Sequence, residues 1–117
     1  MLHIALHFVV PLLVAFAFYR SRWRYATLVF IATMLVDLDH LLATPIYVPE
    51  RCSIGFHPLH TTPAILLYIL IFALPVVLGR ARGVPTLRPG AFMLHLVGLG
   101  LLLHMALDWG DCWSNAT

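Results

Sequence analysis

The sequence contains no lysine, and charged residues make up only 10% of its 117 positions. Soluble domains carry about 25% charged residues, because their surfaces face water. Apolar residues account for 62% of this chain instead. This composition excludes a disordered chain, a soluble nucleic-acid-binding protein and a small disulfide-rich secreted module. Lipid is therefore the expected solvent for most of the surface, and the length predicts a single membrane domain, residues 1–117.

Four apolar stretches are long enough to cross a bilayer. They cover about residues 2–19, 23–42, 58–78 and 91–109. At about 1.5 Å per residue, about 18 to 21 helical residues extend about 27 to 31 Å, which matches the hydrocarbon core of a membrane. No stretch shows the strict alternation of a membrane β-strand. We therefore expect an all-α integral membrane protein, a bundle of four transmembrane helices.

The arginines are distributed unevenly along the chain. Six of the seven lie in or beside the connections that follow the first and third stretches: Arg20, Arg22, Arg24, Arg80, Arg82 and Arg88. By the positive-inside rule these connections face the cytoplasm, so both termini are expected to be extracytoplasmic. The formal net charge of +2 then reflects membrane topology, and we expect no binding to nucleic acid.

Nine ionisable side chains interrupt the apolar stretches, and all fall at the predicted extracytoplasmic end. They are His3, His7, Asp37, Asp39, His40, His57, His60, His104 and Asp108. An Asp at the centre of a membrane helix costs about 2.5 to 3.5 kcal/mol on insertion scales, so such residues usually serve a function. The i,i+3 and i,i+4 spacings place pairs of these residues on one helix face. Imidazoles and carboxylates projecting inward from several helices predict two or more divalent metal ions, with zinc favoured and manganese or iron as alternatives.

Three of these residues also have other interpretations. His3 is as consistent with packing at the interface as with a ligand. In a regular α-helix Asp39 lies about 160° around the axis from Asp37, so it could be a ligand, a partner of a ligand or a solvated carboxylate. His57 directly precedes Pro58 and could simply be the residue before the third helix.

His95 and the two cysteines lie outside this group. His95 precedes His104 by nine residues, about 13.5 Å along a helix, so we expect a structural role for it. Cys52 and Cys112 fall on the same predicted side of the membrane. They could form a disulfide or remain free thiols.

Three short blocks resemble a known family. Residues 37–40 (Asp-Leu-Asp-His), 57–61 (His-Pro-Leu-His-Thr) and 104–108 (His-Met-Ala-Leu-Asp) resemble the bacterial inner-membrane proteins called membrane-bound metal-dependent hydrolases. That family is distantly similar to zinc-dependent phospholipase C and the P1-type nucleases, helical enzymes that cleave phosphate esters. The resemblance implies the following metal ligands: Asp37, Asp39, His40, His60, His104 and Asp108, with His57 and His7 as additions.

The resemblance also implies an activity and a location. It implies a hydrolase of the bacterial inner membrane whose site faces the periplasm and whose substrate is a phosphate ester of a lipid or lipid-linked molecule. A metal-activated water would be the nucleophile, and Asp39 or Asp108 could accept its proton. Arg51 is the one arginine on the extracytoplasmic side, and it could bind the phosphate with two hydrogen bonds.

Two other functions stay open from the sequence. A small structural or partner-binding membrane protein could use a metal to fasten its helices together. A metal or proton transporter is the less favoured alternative, because the nine acids and histidines named above occupy one end of the bundle only. The small residues of Gly98-Leu99-Gly100 permit close helix approach, either within the chain or in a homo-oligomer.

Overall fold

The structure is a computed structural model that describes residues 2–42, 44, 52–84 and 86–116, and these residues form helices and no strands. The α-helices are α1 (Leu2–Phe18), α2 (Trp23–Ala32), α3 (Thr62–Ala81) and α4 (Pro89–Ala116). Three 3-10 helices accompany them, at Arg20–Arg22, Thr33–Leu42 and Pro58–His60. The predicted all-α fold class is confirmed.

Three helical segments are long and apolar enough to cross a membrane: Arg20–Leu42, Thr62–Ala81 and Pro89–Trp113. The first helix, α1, is also apolar but is shorter, at 17 residues. The predicted third stretch, 58–78, divides in two because Thr61 has an extended backbone between the turn Pro58–His60 and α3. The fourth continues beyond its predicted end at Trp109.

Two glycines let α4 pack closely against its neighbours, and α4 contacts all three other α-helices. A Cβ atom at Gly98 would lie 2.7 Å from the Cα of Phe72 in α3. One at Gly100 would lie 2.7 Å from the hydroxyl of Thr33 and 3.2 Å from the Cα of Phe30. These are distances at which neighbouring atoms must move. The glycine pair predicted to permit close approach therefore serves contacts within the chain, to α3 on one side and α2 on the other.

We expect the Gly98→Ala substitution to destabilise the bundle by about 1 to 3 kcal/mol, because the added methyl group meets the backbone of Phe72. Thermal unfolding in detergent, followed by circular dichroism, measures this loss. Gly110→Ala is the matched control, since a Cβ there meets nothing within 4 Å. The control should be as stable as wild type or slightly more so, because alanine favours helix. If the two variants are equally stable, the close packing of α3 against α4 at Gly98 is contradicted.

The second span changes from α to 3-10 geometry at Thr33, whose hydroxyl donates to the carbonyl oxygen of Phe30. A 3-10 helix has three residues per turn, so Thr33, Val36 and Asp39 lie on one face, and all three are buried. Asp39 is then about 120° from Asp37, and not the 160° expected of a regular α-helix. The change of helix type turns Asp39 toward the protein interior.

A disulfide joins Cys52 to Cys112, with the two Cα atoms 5.1 Å apart. The sequence left free thiols as an alternative. The bond connects the segment that precedes Pro58–His60 to the last part of α4. It therefore joins two of the elements that carry the ionisable residues.

Candidate metal centre

Four of the predicted ligands come together at one end of the bundle, and we call them the quartet: Asp37, His60, His104 and Asp108. Asp37 lies in the 3-10 helix Thr33–Leu42, His60 ends the turn Pro58–His60, and the other two lie one turn apart on α4. Each residue offers one ligand atom, and these atoms all lie within 4.8 Å of one another. Three separate elements therefore contribute to one possible cation site.

The spacing of the quartet fits a tetrahedral metal ion. Nε2 of His104 lies 2.9 Å from Oδ1 of Asp37 and 3.2 Å from Oδ2 of Asp108. Nε2 of His60 lies 3.4 Å and 3.0 Å from the same two oxygens. Metal–ligand bonds of about 2.0 to 2.1 Å give a tetrahedron with edges of about 3.3 to 3.4 Å. Four of the six separations within the quartet are therefore close to those of a tetrahedral zinc site, and the other two are no longer than 4.8 Å.

The second observation that fits a cation is the state of Nε2 of His60. This atom is buried, and within the described part of the chain no group meets it in hydrogen-bond geometry, although two carboxylate oxygens lie within 3.4 Å. Buried polar atoms without a hydrogen bond are rare. The other ring nitrogen, Nδ1, donates to Oδ2 of Asp39 at 2.9 Å, which directs the lone pair of Nε2 into the quartet.

Charge in the quartet also favours a cation. Burial alone would lower the pKa of His60, but the carboxylates of Asp108, Asp37 and Asp39 outweigh burial and raise the pKa of His60 to about 10. The carboxylates thus stabilise positive charge at this point. The His60, His104 and Asp108 side chains are between 0% and 4% exposed, whereas Asp37 is 41% exposed. Water and small molecules can therefore approach the quartet at Asp37.

Asp39 links the quartet to a second set of ionisable residues. Its Oδ2 accepts hydrogen bonds from the backbone N–H of Leu59 at 2.8 Å and from His60. Its Oδ1 lies 3.0 Å from Nδ1 of His40. A carboxylate that binds the outer nitrogen of a histidine is the usual way to orient a metal ligand. The structure thus gives Asp39 an orienting role toward His60, in addition to its place in the second set.

The second set consists of Asp39, His40 and His57, whose ligand atoms also lie within 4.8 Å of one another. The imidazole rings of His40 and His57 stack with their centroids 3.7 Å apart. Nδ1 of His40 lies 3.6 Å from Oδ1 of Asp37, so the second set adjoins the quartet at Asp37. Two adjacent groups of residues could therefore each hold a metal ion.

The remaining predicted residues lie elsewhere. His7 is buried, and its Nε2 lies 3.1 Å from Oδ1 of Asp108, the oxygen that faces away from the quartet atoms. Arg51 and the side chain of His3 lie outside the described residues. His95 accepts a hydrogen bond from the hydroxyl of Tyr19 at 2.6 Å and donates to the carbonyl oxygen of Phe72 at 2.9 Å. These contacts connect α1, α3 and α4 and are consistent with the structural role expected of His95.

Sequence reasoning missed three contributors to the site. The hydroxyl of Ser53 lies 3.1 Å from Nε2 of His40, and nothing in the local sequence indicates this contact. Leu59 contributes only its backbone, which no side-chain pattern can reveal. Tyr68 donates its hydroxyl to the carbonyl oxygen of Leu59 at 2.8 Å and so fixes the turn that carries His60. Tyr68 could have been found, because a hydroxyl inside an apolar span needs a partner.

Comparison with known proteins identifies a family. Residues 1–83 match the family of unknown function DUF6122. The chain belongs to this family. The matched range includes Asp37, the second set and His60, and it ends before His104 and Asp108. No curated protein and no solved structure matches the chain. Membership of DUF6122 therefore leaves the function to be argued from the site itself.

Proposed function

We propose that this DUF6122 protein is an integral membrane protein of four spans with its metal groups on the extracytoplasmic side of a bacterial inner membrane. The 17 residues of α1 extend about 25 Å, which a slightly thinned or locally adapted bilayer accommodates. Six arginines stand in the connections at the opposite end from the quartet. That asymmetry supports a cytoplasmic position for the arginines, and both termini then face outward.

We further propose that the protein is a metal-dependent hydrolase of a phosphate ester carried by a lipid or a lipid-linked molecule. The observation that carries this proposal is the quartet, whose ligand atoms lie close enough together to share one metal ion and one of whose members, Asp37, is exposed. An exposed edge is what a catalytic metal site needs in order to admit water and substrate. The resemblance of the three sequence blocks to membrane-bound metal-dependent hydrolases supports the same activity.

The residues of the quartet and the second set would have different roles. The quartet would hold one divalent ion and the second set another, and zinc is the ion that nitrogen and oxygen ligands in a tetrahedron favour. Bound ions would supply a water of lowered pKa and positive charge opposite the phosphate. Asp39 keeps His60 and His40 in place through its two oxygens. Asp108 would use Oδ2 in the quartet, and its Oδ1, beside His7, would be the acceptor for the proton of the water.

A lateral cavity of about 490 Å³ supports a lipid substrate. It is lined by apolar side chains of α2, α4 and the 3-10 helix, and Val36 in its wall shares a face with Asp39. Leu59, which precedes His60, and Tyr68 also line it. Along the second span the lining runs from Val29 to Val36, about 12 Å. An acyl chain placed there would bring its headgroup toward the quartet.

The proposal is tested by measuring phosphate release from phosphatidate in mixed micelles with zinc or manganese added. We expect wild-type protein to be active and Asp37→Asn to be at least about 100-fold slower, the loss typical of removing one charge-stabilising contact. Asp111→Asn is the matched control, since Asp111 is a carboxylate of the same end that belongs to neither metal group. Metal-loaded wild-type protein that hydrolyses neither phosphatidate nor p-nitrophenyl phosphate would refute the hydrolase.

A structural metal site is the second candidate, because the quartet offers four protein ligands, as many as a closed tetrahedral site needs, and three of them are buried. X-ray absorption of the metal-loaded protein separates the two functions. A closed site has only the four protein ligands, whereas a catalytic site keeps a water as an additional or replacing ligand. Metal removal that lowers the melting temperature, with no hydrolysis at any stage, would favour the structural function.

A further inference from the structure

A second cavity runs along α3 and α4 to the end of the molecule opposite the metal groups. It has a volume of about 620 Å³ and opens between α3, α4 and the connection that joins them. Its walls are apolar: Leu67, Leu70, Ile71, Leu74, Leu78 and Leu94. Two charged side chains, Arg82 and Arg88, line the cavity at the end formed by the connection. The cavity is therefore an apolar groove with positive charge at one end, and we call it the arginine groove.

The dimensions of the arginine groove suit a single lipid chain. Its wall on α3 runs from Leu67 to Leu78, which is about 16 Å at 1.5 Å per residue. Half of a bilayer hydrocarbon core is about 15 Å. The groove is therefore about as long as one leaflet is deep, if α3 and α4 cross the membrane as their length and apolarity allow.

Among the described residues, no carboxylate lies at the end of the molecule that carries the mouth of the groove. Four of the five acidic residues lie in the described part of the chain, and all four belong to the segments at the other end, around the quartet. Both Arg82 and Arg88 are exposed, and no described carboxylate pairs with either. A guanidinium group favours a planar, two-pronged contact with phosphate. The groove thus combines an apolar channel with two cations that no described carboxylate neutralises.

We propose that the arginine groove binds an anionic phospholipid, with one acyl chain along α3 and the phosphate between Arg82 and Arg88. Basic pockets between membrane helices recognise lipid headgroups in this way. This site is separate from the metal groups and does not depend on the proposed hydrolase. The groove would take phosphatidylglycerol or a related anionic lipid in preference to phosphatidylcholine, because the net charge of the headgroup distinguishes them.

The test is a binding titration in dodecyl maltoside with phosphatidylglycerol and phosphatidylcholine of identical acyl chains. Each arginine is expected to contribute the binding free energy usual for a basic residue near an anionic membrane surface. Wild-type protein should then bind phosphatidylglycerol about 30-fold more tightly than phosphatidylcholine. The Arg82→Gln/Arg88→Gln double variant should lose that preference. Arg20→Gln/Arg24→Gln removes two arginines from the same end that do not line the groove, and it should keep the preference.

A third variant tests the acyl channel. Leu74 lines the groove and is 45% exposed, so Leu74→Trp should narrow the channel without disturbing the core. It should weaken binding of both lipids and leave the ratio between them unchanged. Equal binding of the two lipids by wild-type protein would overturn the proposal. So would an equal loss in the Arg20/Arg24 control, or a dimer that Leu74→Trp abolishes, because a second copy of the chain would then occupy the groove.

Discussion

Replacing His104 by glutamine is expected to lower the affinity for zinc by about two to three orders of magnitude. Nε2 of His104 lies 2.9 Å from Asp37 and 3.2 Å from Asp108, so its removal opens one corner of the quartet. Structural zinc sites bind with about 10 to 16 kcal/mol, which four ligands share at about 2.5 to 4 kcal/mol each. Elemental analysis of the purified protein, followed by titration with a competing chelator, measures the loss.

His95→Gln is the control for this experiment. His95 is also a buried histidine of α4, but it bonds to Tyr19 and Phe72 and belongs to neither metal group. The His95 variant should retain its metal, even if its melting temperature falls. Wild-type protein that binds no zinc, manganese or iron after gentle extraction would contradict the metal centre. Equal loss of metal from the two variants would show that the loss reflects damage to the bundle and not to the quartet.

Breaking the disulfide is expected to cost about 4 kcal/mol in the free energy of unfolding. Cys52 and Cys112 are 60 residues apart in sequence, and the chain-entropy model relates a closed loop of that length to a loss of about 4 kcal/mol. For a domain of this size the melting temperature should fall by on the order of 10 °C. The measurement is thermal unfolding in detergent with and without a reducing agent.

The Cys52→Ser/Cys112→Ser double variant supplies the control for the disulfide. It should match the reduced wild-type protein in melting temperature and should not respond to the reducing agent. Ser53 follows Cys52 and contacts His40, which belongs to the second set. The variant should therefore bind a metal ion at the second set less tightly than wild-type protein does. Thiol titration confirms that the wild-type protein is fully reduced. If its melting temperature is then unchanged, the predicted stabilisation is contradicted.

Much of the architecture could be predicted because it depends on local properties of the chain. The length of an apolar stretch and the absence of strand alternation are sufficient to predict helices, and the described residues form helices and no strands. The spacing within one helix is equally local. His104 and Asp108, four residues apart, do contribute facing atoms to the quartet, 3.2 Å from each other.

The division of the ionisable residues into two groups could not be predicted. Spacing shows which residues share a face of one helix, but it does not show how that face is turned toward its neighbours. That rotation depends on packing, here on the contacts of Gly98 with Phe72 and of Gly100 with Thr33. The change to 3-10 geometry after Thr33 is a second cause, since it moves Asp39 relative to Asp37. Helix type at this point depends on the neighbouring helix as much as on the local sequence.

The sequence by itself determined that the chain forms apolar helices compatible with a lipid bilayer, roughly where these helices lie, and at which end of the molecule the acids and most histidines gather. The scarcity of charge is enough for these conclusions, because each charged residue in a lipid-facing chain must lie at an end or serve a purpose. Only the tertiary structure decided that Asp39 orients His60 and that His7 contacts Oδ1 of Asp108. It also decided that Arg82 and Arg88 border an apolar groove. Those relations join residues far apart in the chain, and they are set by how helices pack against one another.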